Sequence, residues 1–381
     1  MISIALIGST GSIGRQVCAV VRRYPEKFRF SALVANKNAK ILAEQVAFFK
    51  PDRAVLLDES ALLNMPTPPE GVALRSGEQS ALDAVCDCDV VFVAATGFAG
   101  LKYSLKAIEC KKRLALANKE TLVCGGELVM RLVEEKKVDL VPVDSEHSAI
   151  FQALHFNRNA KFSSLILTAS GGPFYGYTKE QLQGVTVQKA LKHPTWSMGA
   201  KITIDSATLL NKGFEVIEAK WLYHAPFEKI QTVVQPESII HSMVSFSDGS
   251  VLAQMSYPTM EVPIQLALTY PERLPCNLKP LDFSALGAIH FKPLKRKDFP
   301  CYDLALTAGE WGDNYPCALN AAGEVAVSAF LKEEIGFTNI AEVIEETLSR
   351  TAREKVSDYV TLCGVDRRAR EEAKKIIKNV K

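Results

Sequence analysis

No run of residues approaches the roughly 18 apolar positions that a membrane helix needs, so no membrane partner is expected. Charge bias is also missing. Against 45 Lys and Arg stand 43 Asp and Glu, leaving +2, so no nucleic-acid partner is expected and any anion must be held locally in a pocket. Cysteine occurs nine times but never as Cys-x-x-Cys. Cys86 and Cys88 are the one close pair, and no second half of a metal site follows them. Reduced, structural thiols in a cytoplasmic protein are the expectation. Internal repeats and low-complexity segments are absent, and no basic-then-apolar leader precedes MISIALIGST, which supports the same location.

What is present is an ordinary globular composition, 48% hydrophobic and 23% charged, in a chain long enough for two or three domains. Short apolar runs at Ile2–Ile7, Phe28–Val34, Ala54–Leu57, Val90–Ala94, Leu114–Ala117 and Val138–Val143 alternate with helical patterns at Gly11–Arg22 and Ala39–Phe49. That alternation predicts an α/β fold: an N-terminal Rossmann-like domain, with helices on both faces of a parallel sheet, over 1–143. Strands at Ser164–Thr168, Thr232–Val234 and Val251–Met255 mix with helices in a central α+β catalytic domain over 144–270. Four prolines over 271–298 and little periodicity mark 271–302 as linker, and from 303 to 381 a C-terminal helical bundle is predicted.

Gly8, Ser9, Thr10, Gly11, Ser12, Ile13 and Gly14 join the first strand to the first helix with Gly-x-x-Gly-x-x-Gly spacing. Glycines allow a tight turn and close approach of backbone to a pyrophosphate, and the helix N-terminus offers N–H groups to it. An NAD site usually carries an acid at the end of the second strand. Here Ala35, Asn36, Lys37 and Asn38 stand there without a carboxylate, so NADPH is expected, with Lys37 on the 2′-phosphate rather than merely solvated. Ala94 and the trio Asn118, Lys119 and Glu120 follow later strands, where such folds line the cofactor cleft. Lys119 is either a surface tip or a group reaching the nicotinamide side.

Asp144 and Glu146 place two carboxylates at i and i+2 after a strand, and Glu215 supplies a third far along the chain. Such oxygens suit Mg²⁺ or Mn²⁺, with Co²⁺ as a further candidate. They could equally cap a helix or face solvent, and Glu218 competes with Glu215 one helical turn away. Ser170 lies in a Gly-Gly loop, and Ser206, Asn211 and Lys212 could bind a phosphate with neutral donors and one point charge. His193, Trp196, Met198 and Gly199 share a Gly/Pro-bounded loop that reads as a lid excluding water.

GSTGSIG at 8–14, LANKETL at 116–122, PVDSEHSAIFQ at 142–152, ASGGPF at 169–174, HPTWSMG at 193–199 and DSATLLNKGFEVIEA at 205–219 together resemble the 1-deoxy-D-xylulose 5-phosphate reductoisomerase family. IHSMVSFSDGSVLAQ at 240–254 and ALNAAGEVAV at 318–327 extend the likeness along nearly the whole chain. The resemblance implies a homodimer acting on a small phosphosugar, 1-deoxy-D-xylulose 5-phosphate, and yielding 2-C-methyl-D-erythritol 4-phosphate. The implied route is retro-aldol cleavage, aldol recombination and hydride delivery from NADPH, which is the committed step of non-mevalonate isoprenoid synthesis. It further implies Asp144, Glu146 and Glu215 as metal ligands and Lys119 beside the reactive centre. Ser145, Ser170, Ser206, Asn211, Lys212 and His241 should line the substrate, under a lid of His193, Trp196 and Met198. Gly199 is carried over with the cofactor contacts. The chain departs from the family's usual text at Thr195, Ala200, Gly323 and Thr259–Val262, and is shorter between Gln152 and Lys161. A plain NADP-dependent dehydrogenase of a phosphorylated aldehyde, or a non-catalytic NADP sensor, would explain the glycine turn but not the carboxylates or the lid.

Overall fold

A computed structural model describes residues 1–155, 157 and 161–380. The shortening between Gln152 and Lys161 falls in part on residues outside these, as does the final Lys381. The chain divides into two compact units: 1–121 with 129–148 and 260–277, and 122–128 with 149–259 and 278–381.

Seven parallel strands form the sheet of the first unit, in the order β4-β3-β2-β1-β5-β6-β7. They are β1 (Ile2–Ile7), β2 (Phe28–Ala35), β3 (Arg53–Leu56), β4 (Ala73–Ser76), β5 (Val90–Val93), β6 (Arg113–Leu116) and β7 (Leu140–Pro142). Central strands covered on both faces need apolar side chains in both directions, which is why β1 beyond Ser3 and all of β5 read as continuous apolar runs. Ile4, Leu6, Val91 and Phe92 are completely buried. Strand order reverses at β1, the place where such sheets open a crevice beyond the strand ends. Asp89 pins the start of β5 to β1 by accepting from the Ser3 N–H (2.8 Å) and hydroxyl (2.7 Å).

The helix Glu261–Thr269 belongs to this unit, although the sequence pattern put it at the end of the catalytic region. It packs on the helix Ser12–Arg23, and Glu261 pairs with Arg23. That pair accounts for the acid at 261, where the family's text has a basic residue.

The second unit is built on a mixed five-stranded sheet, β11-β10-β8-β9-β12. Its strands are β8 (Phe162–Ala169), β9 (Ile230–Val234), β10 (Ile240–Phe246), β11 (Val251–Met255) and β12 (Lys292–Pro293). The stretch expected to be pure linker thus donates an edge strand: β12 runs antiparallel to β9. The helix Leu210–Leu222 packs on Pro300–Trp311, and the helices Tyr315–Leu331, Asn339–Ser349 and Tyr359–Asn379 pack on one another. Within this group Arg370 bridges Glu324 (2.6 Å) and Asp366 (2.7 Å). Gly323 is buried, and a Cβ there would stand 3.0 Å from Leu210 Cδ2, so the asparagine usual in the family would force Leu210 to move.

The cysteines depart from expectation. Cys86, ending the helix Gly77–Cys86, is disulfide-bonded to Cys110, just past the helix Leu101–Glu109, with Cα atoms 5.5 Å apart. The reduced state holds for the others: Cys18, Cys88, Cys124, Cys276, Cys301, Cys317 and Cys363 are free. Nothing in the sequence spacing reveals the bond, because it depends on two helix ends meeting in the fold.

Candidate active site

The glycine turn leaves β1 with Gly8 at φ +88°, where a Cβ would sit 2.7 Å from the Ala94 carbonyl oxygen. At Gly14 a Cβ would collide with the Gly8 and Ser9 carbonyls. The turn is therefore a cradle that any side chain would fill. Gly11 caps the helix Ser12–Arg23 without a side-chain hydrogen bond, leaving its first N–H groups to a ligand. Gln45, 7% exposed, donates to the Ser9 carbonyl (2.8 Å) and fixes the turn from below. No motif announces that residue.

At the end of β2, Ala35 is buried, while Asn36 and Lys37 are exposed. Asn38 caps the helix Ala39–Phe49 through the Ile41 N–H (3.1 Å), so its side chain serves the helix. A carboxylate does come near: Asp58, just after β3, whose N–H donates to the Asn36 carbonyl (3.0 Å). Ser60 hydroxyl and N–H hold the Asp58 carboxyl below the usual carboxylate range, with Lys37 adding a smaller electrostatic contribution. Asn118 joins two loops beyond the strand ends, donating to the Gly97 carbonyl (3.0 Å) and to Glu120 (2.8 Å).

Lys119 is no surface tip. It is 8% exposed, and its Nζ lies 2.6 Å from Asp144 Oδ2. Asp144 leads into the helix Ser145–His155, its carbonyl accepting from the Ser148 N–H (2.7 Å), so a helix-start role coexists with the carboxylate's own contacts. The Ser145 hydroxyl donates to Glu146 (2.5 Å). Glu215 is completely buried. Asn211 donates to its Oε1 (2.5 Å), and Lys212 pairs with Oε2 while donating to the Thr168 carbonyl (2.5 Å).

Asp144 and Glu146 stand in the first unit and Glu215 in the second, each carboxylate held by neighbours of its own unit. An all-carboxylate donor set fits a hard divalent cation. Glu218, like Glu215, is buried on the helix Leu210–Leu222. His147 is buried too, and was given no role by the sequence pattern or the resemblance.

The loops that carry Ser170 and His193 meet. Gly171 and Gly172 take φ +88° and +67°, and the Ser170 hydroxyl accepts from the Gly172 N–H (3.2 Å). His193 Nε2 is 3.1 Å from Ser170 Oγ, and its Nδ1 accepts from the N–H groups of Thr195 (3.2 Å) and Trp196 (3.0 Å). Burial lowers the His193 pKa. The Trp196 ring meets His241 edge-on, centroids 6.2 Å apart, and His241 Nε2 lies 3.1 Å from the Ser256 carbonyl. Ser206 abuts this loop by its backbone: a Cβ on Gly172 would be 3.1 Å from its carbonyl oxygen. Met198 is half-buried, and Gly199 is exposed at the cap of the helix Ala200–Ala207.

Comparison with known proteins agrees along the whole chain. Models of the 1-deoxy-D-xylulose 5-phosphate reductoisomerase family match residues 4–126, 140–223 (its C-terminal domain) and 255–372 (DXP reductoisomerase C-terminal domain). The chain is 48% identical to the 1-deoxy-D-xylulose 5-phosphate reductoisomerase of Caldanaerobacter subterraneus subsp. tengcongensis, over 97% of this chain and 98% of that one. With the enzyme of the same name from Geobacillus kaustophilus it shares 50% over 91% and 92%. Among solved structures, the Zymomonas mobilis reductoisomerase in complex with NADPH superposes with a TM-score of 0.90 at 38% identity, covering 98% of both chains. A DOX-P reductoisomerase in complex with NADPH, fosmidomycin and magnesium gives 0.90 at 35% identity, over 99% and 98%.

Proposed function

The chain belongs to the 1-deoxy-D-xylulose 5-phosphate reductoisomerase family, and from that premise we propose that it converts 1-deoxy-D-xylulose 5-phosphate to 2-C-methyl-D-erythritol 4-phosphate using NADPH and Mg²⁺ or Mn²⁺. The observation that carries this reading is the 48% identity to a reductoisomerase over 97% of the chain, with the carboxylates of Asp144, Glu146 and Glu215 all present. A plain dehydrogenase has no use for such a set.

Gly8 to Gly14 and the N-terminus of the helix Ser12–Arg23 hold the pyrophosphate of NADPH, and Lys37 takes its 2′-phosphate. Bound there, NADPH supplies hydride to an aldehyde carbon. Asp144, Glu146 and Glu215 hold the cation, which when bound polarises a carbonyl and its neighbouring hydroxyl. Lys119 orients Asp144 through their ion pair, and Asn211 and Lys212 orient Glu215. Ser145 reaches substrate oxygens beside Glu146. Ser170, Ser206, Asn211 and Lys212 form the phosphate subsite, and the Trp196 indole excludes water from it. We place the protein in the cytoplasm as a homodimer. Among the described residues no helix is long and apolar enough to cross a membrane, and the edge strand β11 presents Val251 (50% exposed) and Leu252 (41%) for a partner to cover.

The test is to mix the protein with NADPH, Mg²⁺ and the ketose phosphate, follow NADPH consumption, and identify the product by NMR. A branched tetrol phosphate is expected. An unbranched reduction product would overturn the assignment.

A further inference from the structure

The lid loop carries its own fastening, and its other end reaches the anion subsite. His193 Nδ1 is the shared acceptor of two backbone N–H groups, from Thr195 (3.2 Å) and Trp196 (3.0 Å), so it bears no proton. A neutral imidazole without a proton on Nδ1 has it on Nε2. That Nε2–H faces Ser170 Oγ at 3.1 Å and donates to it. Ser170 Oγ already accepts from the Gly172 N–H at 3.2 Å. A hydroxyl has two acceptor lone pairs and one proton. With both lone pairs engaged, the Ser170 proton has to point elsewhere, towards an acceptor such as a phosphoryl oxygen.

We propose that His193 is a two-ended positioning residue: Nδ1 folds the turn that presents Trp196, while Nε2–H commits the Ser170 hydroxyl to donate to an anion. The proposal deepens the phosphate-subsite reading above and rests on it for the identity of the anion. The turn itself rests only on the distances. Burial lowers the His193 pKa, in keeping with the neutral tautomer. Thr195 adds a contact of its own, its hydroxyl lying 3.4 Å from Nδ1 and 3.5 Å from Ser238 Oγ.

Two variants divide the ends. In His193→Asn the amide oxygen sits where Nδ1 was and nothing replaces Nε2–H. In His193→Gln the amide lies near the Nε2 position and the near acceptor is gone. The expected results are as follows. His193→Asn keeps hydrogen-exchange protection of the 194–198 backbone but raises KM for the phosphosugar about tenfold or more. His193→Gln loses that protection and retains more of the affinity for inorganic phosphate measured by competition. Ser170→Ala, which leaves the turn alone, should match His193→Asn in both readouts. Equal loss of protection in both histidine variants, or no loss in either, overturns the turn. Unchanged KM in both His193→Asn and Ser170→Ala overturns the donor role. Exchange is read without turnover, so a wild-type protein inactive on the ketose would leave the turn testable and point to failure of the functional reading instead.

Discussion

At the scale of single residues, the chemistry of the site is set by which charged groups are allowed to be buried. Glu215 has no exposure at all, and is tolerated because Asn211 and Lys212 each serve one of its oxygens. Glu215→Gln keeps that shape but removes the charge a cation needs. Turnover should fall by more than the roughly 100-fold that loss of a ligand's hydrogen-bond partner costs, while NADPH affinity measured by fluorescence is unchanged. Lys37→Ala should weaken NADPH by about ten- to a hundredfold and leave NADH nearly as before, since only the former carries the extra phosphate. Titration of the two nucleotides separates these outcomes. The His193 shift also has a sign. Its folded pKa is depressed below the ordinary imidazole value of about 6.5, so on acidification the unfolded chain takes up the proton first. The turn's contribution is complete above that value and is lost as pH falls below it. Exchange protection at 194–198 should decline on the acid side in the wild type and stay flat in His193→Asn. Asp144, Glu146 and Glu215 could be singled out in the sequence because hard cations restrict the residue types and the family's motifs carry these three. Gln45 and His147 were not, since one buried polar side chain has no pattern until its partners are known.

Elements were legible where their period was clean. The helix Ala39–Phe49 and β11 fall on the residues predicted, and β1 and β2 agree within a residue. β4 and β10 were not assigned. β10, which begins Ile240, His241, Ser242, lies between β8 and β11 with nearly every residue covered, so neither alternation nor an unbroken apolar run marks it. The disulfide belongs to this scale, as it ties two helix ends. Closing a loop of 24 residues contributes about 3 kcal/mol in the chain-entropy description. Cys86→Ser should lower Tm by about 5–10 °C under oxidising conditions, and a dithiol should lower the wild type to the same point. Calorimetry with and without reductant measures both, and a wild type indifferent to the dithiol would show the two thiols to be unpaired.

For the whole molecule, the Rossmann-like sheet, the mixed sheet and the helical C-terminal region were readable from the order of patterns. Chain path was not: that Glu261–Thr269 packs on Ser12–Arg23 depends on a contact across most of the sequence. Assembly is tested at this scale too. Light scattering should report a dimer, and Val251→Lys with Leu252→Lys should yield a folded monomer if β11 is the seam.

The return of residues 260–277 to the first unit has a consequence for synthesis. A ribosome that has released the seventh strand has not yet released the helix that packs on Ser12–Arg23 or the acid that answers Arg23. The nucleotide half of the newborn protein therefore waits, unsealed, while the whole β8–β11 segment emerges. Its completion is a late event in translation, long after its first strand is made.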